Sequence, residues 1–359
     1  MAKGKKIYAI IIAVFAFLVY TVFAAQPVPR ETILTSRWLK PLESAYPGDI
    51  PAGGGLIPFT LGNRFGYADS GGGILLNQVR EGTVSLSPEY WAEYSAAPDE
   101  LVIHDPRSNT ELVISRPRGY PFFLDGRIFI ISKDQTSLEE IDPSGNTLWT
   151  YDYEAPLTCI DAAGGYVFTG TLDGMIDLLD KNGLSVFPSY APGASRIPVI
   201  LGCRISSDGS KLAVISGIDK QRFLFLEWYG DNEYRVTYHE FLKGEGFRRE
   251  VHMAFIDNDS RVVFEQEEGL GVYDIASRST VTLPLPGNIE ALDEDGGDGL
   301  FFFVTSGEGG EKRFVGLKLP DTELLNVPFK SETSFLTRRG KELFIGGGMT
   351  LASFILDKR

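Results

Sequence analysis

Cysteine, histidine and long apolar runs are all scarce in this chain. Two cysteines in 359 residues exclude a disulfide-stapled scaffold. There is no vicinal Cys-Cys pair. The three histidines, His104, His239 and His252, stand far apart, and no H-E-x-x-H spacing supports a metalloprotease zinc site. Each is read as structural. No G-x-S-x-G nucleophile elbow occurs. Gly71-Gly72-Gly73 and Gly346-Gly347-Gly348 lack the Lys-Ser/Thr that follows a phosphate loop, so they read as bulges or close backbone approaches. Positive charge is also short. Against 48 acidic residues stand 34 lysines and arginines, leaving a net charge of −14. Such a surface repels phosphate backbones, which excludes nucleic acid as a partner.

Acidic residues are plentiful but not patterned for a metal. Asp293-Glu294-Asp295-Gly296-Gly297-Asp298 lacks the alternate-position ligands and closing Glu of a calcium loop. It falls where a turn is due and reads as solvated, as does Asp257-Asn258-Asp259. No catalytic residue, cofactor ligand or metal ligand is assigned.

One long apolar run exists. Lys3, Lys5 and Lys6 precede an uncharged stretch from Ile7 to Ala25. A helix of ~20 apolar residues spans a bilayer, whereas a secretory core is usually ~7–15 residues. The length favours an uncleaved transmembrane anchor. Val22-Phe23-Ala24 keeps a cleavage site open, in which case the chain is secreted. In both cases the lysines stay cytoplasmic and everything after residue 26 is extracytoplasmic, which predicts a single-pass membrane protein with a periplasmic domain. Neither cysteine follows the run directly, so an N-terminal lipid-modified cysteine is excluded.

The last absence is helix. Beyond the N-terminus no segment carries a convincing 3.6-residue apolar period. What is present is turn and strand: 40 glycines, 20 prolines, 24 phenylalanines and 15 tyrosines. Residues 26–56, with Pro27, Pro29, Pro41, Pro47 and Pro51, read as a linker and entry segment. From residue 57 onward, strands recur in units. In 157–187 the runs Leu157–Ile160, Tyr166–Thr169, Met175–Leu179 and Leu184–Phe187 predict a four-stranded meander. Asp173-Gly174 reads as a two-residue hairpin turn with φ > 0 at both positions. Units of the same rhythm fall at 121–151, 200–238, 252–285, 289–328 and 333–359, and 57–116 fits less cleanly. Four-stranded units every ~40 residues define an all-β propeller, because each sheet hides its faces only by stacking on the next. The expected count is seven blades, with eight as the rival. The last unit lacks a fourth strand, and a segment from 30–60 is expected to supply it.

The pattern Gly-Tyr-Val-Phe-Thr-Gly…Asp-Gly…Leu-Leu-Asp-Lys-Asn-Gly…Phe at 165–187, and Asp-Pro-Ser-Gly-Asn-Thr-Leu-Trp at 142–149, resemble the repeat of the pyrroloquinoline-quinone-type, WD-repeat-like β-propellers. The resemblance implies two outcomes. Quinoprotein dehydrogenases hold a quinone and Ca²⁺ over the channel. Scaffold propellers of the bacterial envelope bind no cofactor and recruit envelope proteins. Trp38, Trp91, Trp149 and Trp228 include no assigned stacking partner for a quinone, and Trp149 closes a repeat strand. The expectation is therefore a cofactor-free, membrane-anchored scaffold with an envelope protein as partner, not an enzyme. The alternative is a small-ligand binder or enzyme using the channel mouth. Convergent carboxylates, or a histidine near an arginine, at the channel entrance favour the alternative. Cys159 and Cys203 fall at near-equivalent places in adjacent units, so a disulfide between them and a pair of buried thiols both stay open.

Overall fold

A computed structural model describes residues 12–21, 32–44, 48, 55–96, 98–108, 110–186, 190–230, 233–244, 246–285 and 287–358. Among these residues, thirty strands form eight antiparallel sheets. Six sheets have four strands and two have three. We number them as blades: blade 1 (57–79), blade 2 (83–115), blade 3 (119–152), blade 4 (157–179), blade 5 (200–241), blade 6 (253–283), blade 7 (288–330) and blade 8 (334–358 with 32–41).

The count is eight, not the expected seven. The stretch 57–116, which fits the repeat less cleanly in sequence, holds two sheets. The rhythm was hard to read there for two reasons. Blade 1 has three strands, and the first two strands of blade 2, Thr83–Leu86 and Trp91–Tyr94, have four residues each. Blade 4 also departs from expectation. Its ladder has three strands, and the place of the fourth is taken by isolated bridges, Leu179 to Ser185 and Ile176 to Tyr190. The turn between its second and third strands differs in type too. Gly174 has φ +91° while Asp173 stays at negative φ: the Gly174 N–H donates to Thr171 O at 3.1 Å to close a four-residue turn, and the Thr171 hydroxyl accepts the Met175 N–H at 3.0 Å beside it.

Closure uses the N-terminal side of the chain. Thr32–Pro41 pairs antiparallel with Thr350–Lys358 and becomes the outer strand of blade 8, so the two ends of the chain share one sheet. The first strands of blades 8 and 1 lie side by side. Gly62 N–H, at the end of blade 1's first strand, donates to Thr333 Oγ1 at 2.9 Å, just before the first strand of blade 8. Blade 1 therefore runs in the opposite sense to its neighbour.

In blades 2–8 the antiparallel order puts the turns between first and second strands on one face of the ring. The connections between blades lie on the other. We call these the turn face and the crossing face.

The core lies in the seams. Each seam is an apolar cluster shared by adjacent sheets, for example Phe168, Ile176 and Leu178 of blade 4 against Ile200, Leu212 and Leu224 of blade 5. Across the next seam Phe223 stacks on Phe264 with centroids 4.4 Å apart, both fully buried. Burying such a ring contributes about 1.5–3 kcal/mol, and a single blade has no partner surface to do it alone. Trp149 packs on Phe129 and over Gly183, where a Cβ would come within 2.5 Å of the indole.

At the N-terminus residues 12–21 are helical. The rest of the Ile7–Ala25 run lies outside the described residues. Among the described residues no helix is long and apolar enough to cross a membrane.

Candidate functional site

The inner ends of blades 4 to 7 surround a cavity of about 490 Å³ on the turn face. Each blade supplies the last residues of its first strand and the turn that follows: Asp161, Arg204, Phe255 with Asp257–Asp259, and Glu294–Gly297. A second cavity of about 540 Å³ opens toward the crossing face between Arg249, Glu250, His252 and Asn288. Arg204 and Glu294 line both. They are the point where the two cavities meet.

Arg204 is held from its own strand and its neighbour. Nη1 donates to Cys203 O at 2.8 Å and Nε to Met253 O at 2.8 Å. Burial pulls its pKa down, but Asp161, Glu294 and Glu250 together hold it above the ordinary value, so it stays a cation. Asp161 accepts the Ile205 N–H at 2.9 Å and the Ala162 N–H at 3.0 Å, which fixes its carboxylate at the seam between blades 4 and 5. Burial raises its pKa, and Arg204 and these two N–H groups oppose that. Glu294 is wet yet walled in by the channel, and this partial desolvation raises its pKa against the pull of Arg204. The site thus gathers acceptors around one fixed guanidinium.

The turn 257–259 is unusual. Asp257, Asn258 and Asp259 all have φ between +55° and +57°, which costs about 1 kcal/mol or more per residue. Side-chain bonds hold it. Asp259 accepts the Ser207 N–H at 2.9 Å from blade 5, and Asp257 accepts the Gly299 N–H at 3.1 Å from blade 7 and pairs with Arg261.

The acidic run divides. Asp293 is buried with Arg338 of blade 8, Arg338 Nη1 lying 3.2 Å from its carboxylate. Burial pushes its pKa up to about 7 despite the arginine. Glu294 and Asp295 face the cavity instead. Among the described residues no cluster of His, Cys, Asp and Glu is arranged to hold a metal ion.

The other singled-out residues have structural surroundings. His104 stacks on Trp91 at 4.0 Å, with Glu111 at 3.4 Å, and burial lowers its pKa. His239 is exposed on the outer strand of blade 5, its ring 6.3 Å from that of Phe241. His252 borders the crossing-face cavity, where burial lowers its pKa. Arg249 beside it is paired with buried Glu265 at 2.7 Å. Gly72 sits under the Trp38 indole, and Gly346 leaves room for Leu61 across the closing seam. Cys159 and Cys203 are free thiols on the first strands of blades 4 and 5. Sequence reasoning missed Arg204 and Asp161. The signal available was their place near the end of each unit's first strand.

A closed ring of eight radial sheets with an ionic channel mouth defines the class: a β-propeller. The chain belongs to a family described as beta-propeller protein, whose model matches residues 1–358. It is 25% identical to an uncharacterized protein of Treponema pallidum over 360 residues, covering 98% of this chain and 94% of that one. Among solved structures it is similar to BamB from Moraxella catarrhalis, with a TM-score of 0.56 and 13% identity over 90% of this chain and 100% of that one. It is similar also to the computationally designed Ika8 protein, with a TM-score of 0.56 and 12% identity over 85% and 96%. At these identities the structural likeness is one of fold.

Proposed function

We propose that the chain is a membrane-held, extracytoplasmic propeller that docks a partner protein of the envelope on its crossing face. The observation that carries this reading is a group of exposed apolar side chains on the crossing face of blades 4 and 5. Leu172 and Ile197 are each 50% exposed and Tyr190 36%. The turn holding Leu172 packs against the loop holding Ile197, because a Cβ on Gly174 would collide with the Pro198 carbonyl. Tyr190 bridges to Ile176 of the same blade. Apolar side chains grouped on rigid loops suit docking. The lysines and apolar run at 3–25, the resemblance to envelope scaffold propellers and the BamB-like fold support the envelope setting.

The test places a photo-crosslinking residue at Ile197 or at Leu184 on the turn face, in the full chain in cells. Adducts from 197 that vanish with Leu172→Asp support the reading. Adducts equally frequent from both positions, or insensitive to Leu172→Asp, sink it. A C-terminal alkaline phosphatase fusion should be active, since that enzyme folds only after export. An inactive but stable fusion removes the extracytoplasmic address.

A second reading rests on the opposite face. Convergent carboxylates are the feature that favours a channel ligand: Asp161, Glu294 and Asp295 line one cavity with Arg204, and the first two act on its guanidinium. The ligand class that fits is a small polar molecule with a cationic group for the carboxylates and an acceptor for Arg204. Thermal shifts with a panel of amino acids and amino sugars test it. A stabilisation lost in Arg204→Met supports it, and none across the panel removes it.

A further inference from the structure

The seam between blades 4 and 5 holds both cysteines of the chain. Cys159 and Cys203 belong to the same apolar cluster and are 5% and 0% exposed. Their strands, Leu157–Ala163 and Ile200–Ile205, lie side by side. Cys203 Sγ reaches across the seam to Phe168 O of blade 4 at 3.6 Å. Cys159 Sγ lies on the blade 4 ladder against Gly170, where a Cβ would come within 2.7 Å of it. Cys159 lies close enough to Cys203 to help raise the pKa of its thiol, after burial itself. Other core positions of this seam are filled by Ile, Leu, Val and Phe, so the only two thiols of the chain share one seam between neighbouring strands.

We infer that Cys159 and Cys203 are an inter-blade disulfide site, closed by thiol–disulfide exchange with an oxidised dithiol or glutathione disulfide while the chain folds. The chemistry balances as two exchanges. The Cys159 thiolate attacks the oxidant disulfide, forming a mixed disulfide and releasing one thiolate. The Cys203 thiolate then attacks the Cys159 sulfur, forming the Cys159–Cys203 bond and releasing the second thiolate. Two electrons pass to the oxidant, and the two protons lost by the cysteines end on its thiols. Folding is the time for it. In the closed ring both sulfurs are buried, and burial with the neighbouring thiol raises the Cys203 pKa, so native-state exchange is slow. The bond joins the blades that present the exposed apolar group. It also fixes the Cys203 carbonyl, which holds Arg204 in the channel. The inference is independent of the docking reading, since neither needs the other to hold.

The test uses the full chain refolded in a glutathione redox buffer. The protein is then unfolded with a maleimide present and no reductant, and its intact mass is read. The expected result is no adduct and a mass about 2 Da below that of the reduced protein. Prior reduction should give two adducts. Cys159→Ser and Cys203→Ser should each give one adduct without reductant. Two adducts on the unreduced wild type, or a disulfide found only between chains, overturns the inference. Refolding under fully reducing conditions should leave circular dichroism unchanged. If it does, two adducts after the redox refold cannot be blamed on misfolding.

Discussion

Replacing Asp293 by Asn tests whether a buried ion pair at the seam of blades 7 and 8 holds its carboxylate charged. Asp293 is fully buried and lies 3.2 Å from Arg338 Nη1. Arg338 also donates to Leu300 O at 3.1 Å and Gly340 O at 2.8 Å, so its charge is shared with carbonyls. One Asp293 oxygen has no hydrogen-bond partner. Burial therefore outweighs the arginine, and the folded carboxyl titrates near 7 against an ordinary 3.8. The sign follows. Between those values the folded protein binds more protons than the unfolded chain, so stability falls as pH rises through that window. From about pH 5.5 to about pH 8.5 the group costs wild type about 2 kcal/mol, at ~1.4 kcal/mol per pH unit up to the folded pKa. Asp293→Asn has no such slope. The assay is urea unfolding of both proteins at the two pH values. The difference wild type minus variant should drop by about 2 kcal/mol on raising the pH. A difference that is constant, or that grows in favour of wild type, refutes the reasoning and means the pair is ionised throughout. Arg338→Met supplies a control. Without the guanidinium the carboxyl should stay protonated above pH 7, and the decline should continue to higher pH.

Three further outcomes follow from packing. Gly174→Ala should cost several-fold more than Gly126→Ala, measured as the urea midpoint. Both have positive φ, but Gly126 has open space and Gly174 faces the Pro198 carbonyl, so Gly126→Ala shows the backbone strain of about 1 kcal/mol alone. Phe264→Ala should cost about 3–5 kcal/mol, since the ring is fully buried and stacked on Phe223. Deleting residues 1–41 removes the outer strand of blade 8 and exposes the edge of Thr350–Lys358. Light scattering should show association through that edge, while far-ultraviolet circular dichroism stays β-rich.

The ring was legible in the sequence because its seams are written in local code. Tyr166–Thr171 alternates with turns at Asp173-Gly174 and Asn182-Gly183, and the next unit repeats the rhythm. The missing strand of the last unit was legible for the same reason, since 333–359 holds three strand signals and no fourth. Blade 1 was not. A three-strand sheet has no period of its own, and the opposite sense of its first strand depends on where Gly62 meets Thr333, 271 positions away. The site was not legible either. Arg204, Asp161 and Glu294 come from three blades, and only the closing of the ring brings them together. The acidic run looked uniformly solvated because its first member is buried by Arg338, a residue no local pattern connects to it.

The closing strand also orients the ring relative to the apolar run at its start. Thr32 pairs with Lys358, at the turn-face end of the last sheet, and Pro41 pairs with Thr350 at the crossing-face end. The chain therefore enters blade 8 from the turn face. From Ala25 to Thr32 seven residues span at most about 25 Å. If the run from Ile7 to Ala25 is held in a bilayer, as proposed, the turn face with its acidic channel mouth is tethered toward the membrane. The crossing face, with Leu172, Tyr190 and Ile197, points away and is free to meet a partner. Single cysteines at Leu184 and Ile197, in a background with Cys159→Ser and Cys203→Ser, report this arrangement. Both positions are exposed, at 65% and 50%. In vesicles displaying the propeller outward, a bulky maleimide should label 197 several-fold faster than 184, and the two rates should converge when residues 1–31 are removed. Equal rates in the vesicles would mean that the short linker does not orient the ring, and the separation of a tethered face from a docking face would fall with it.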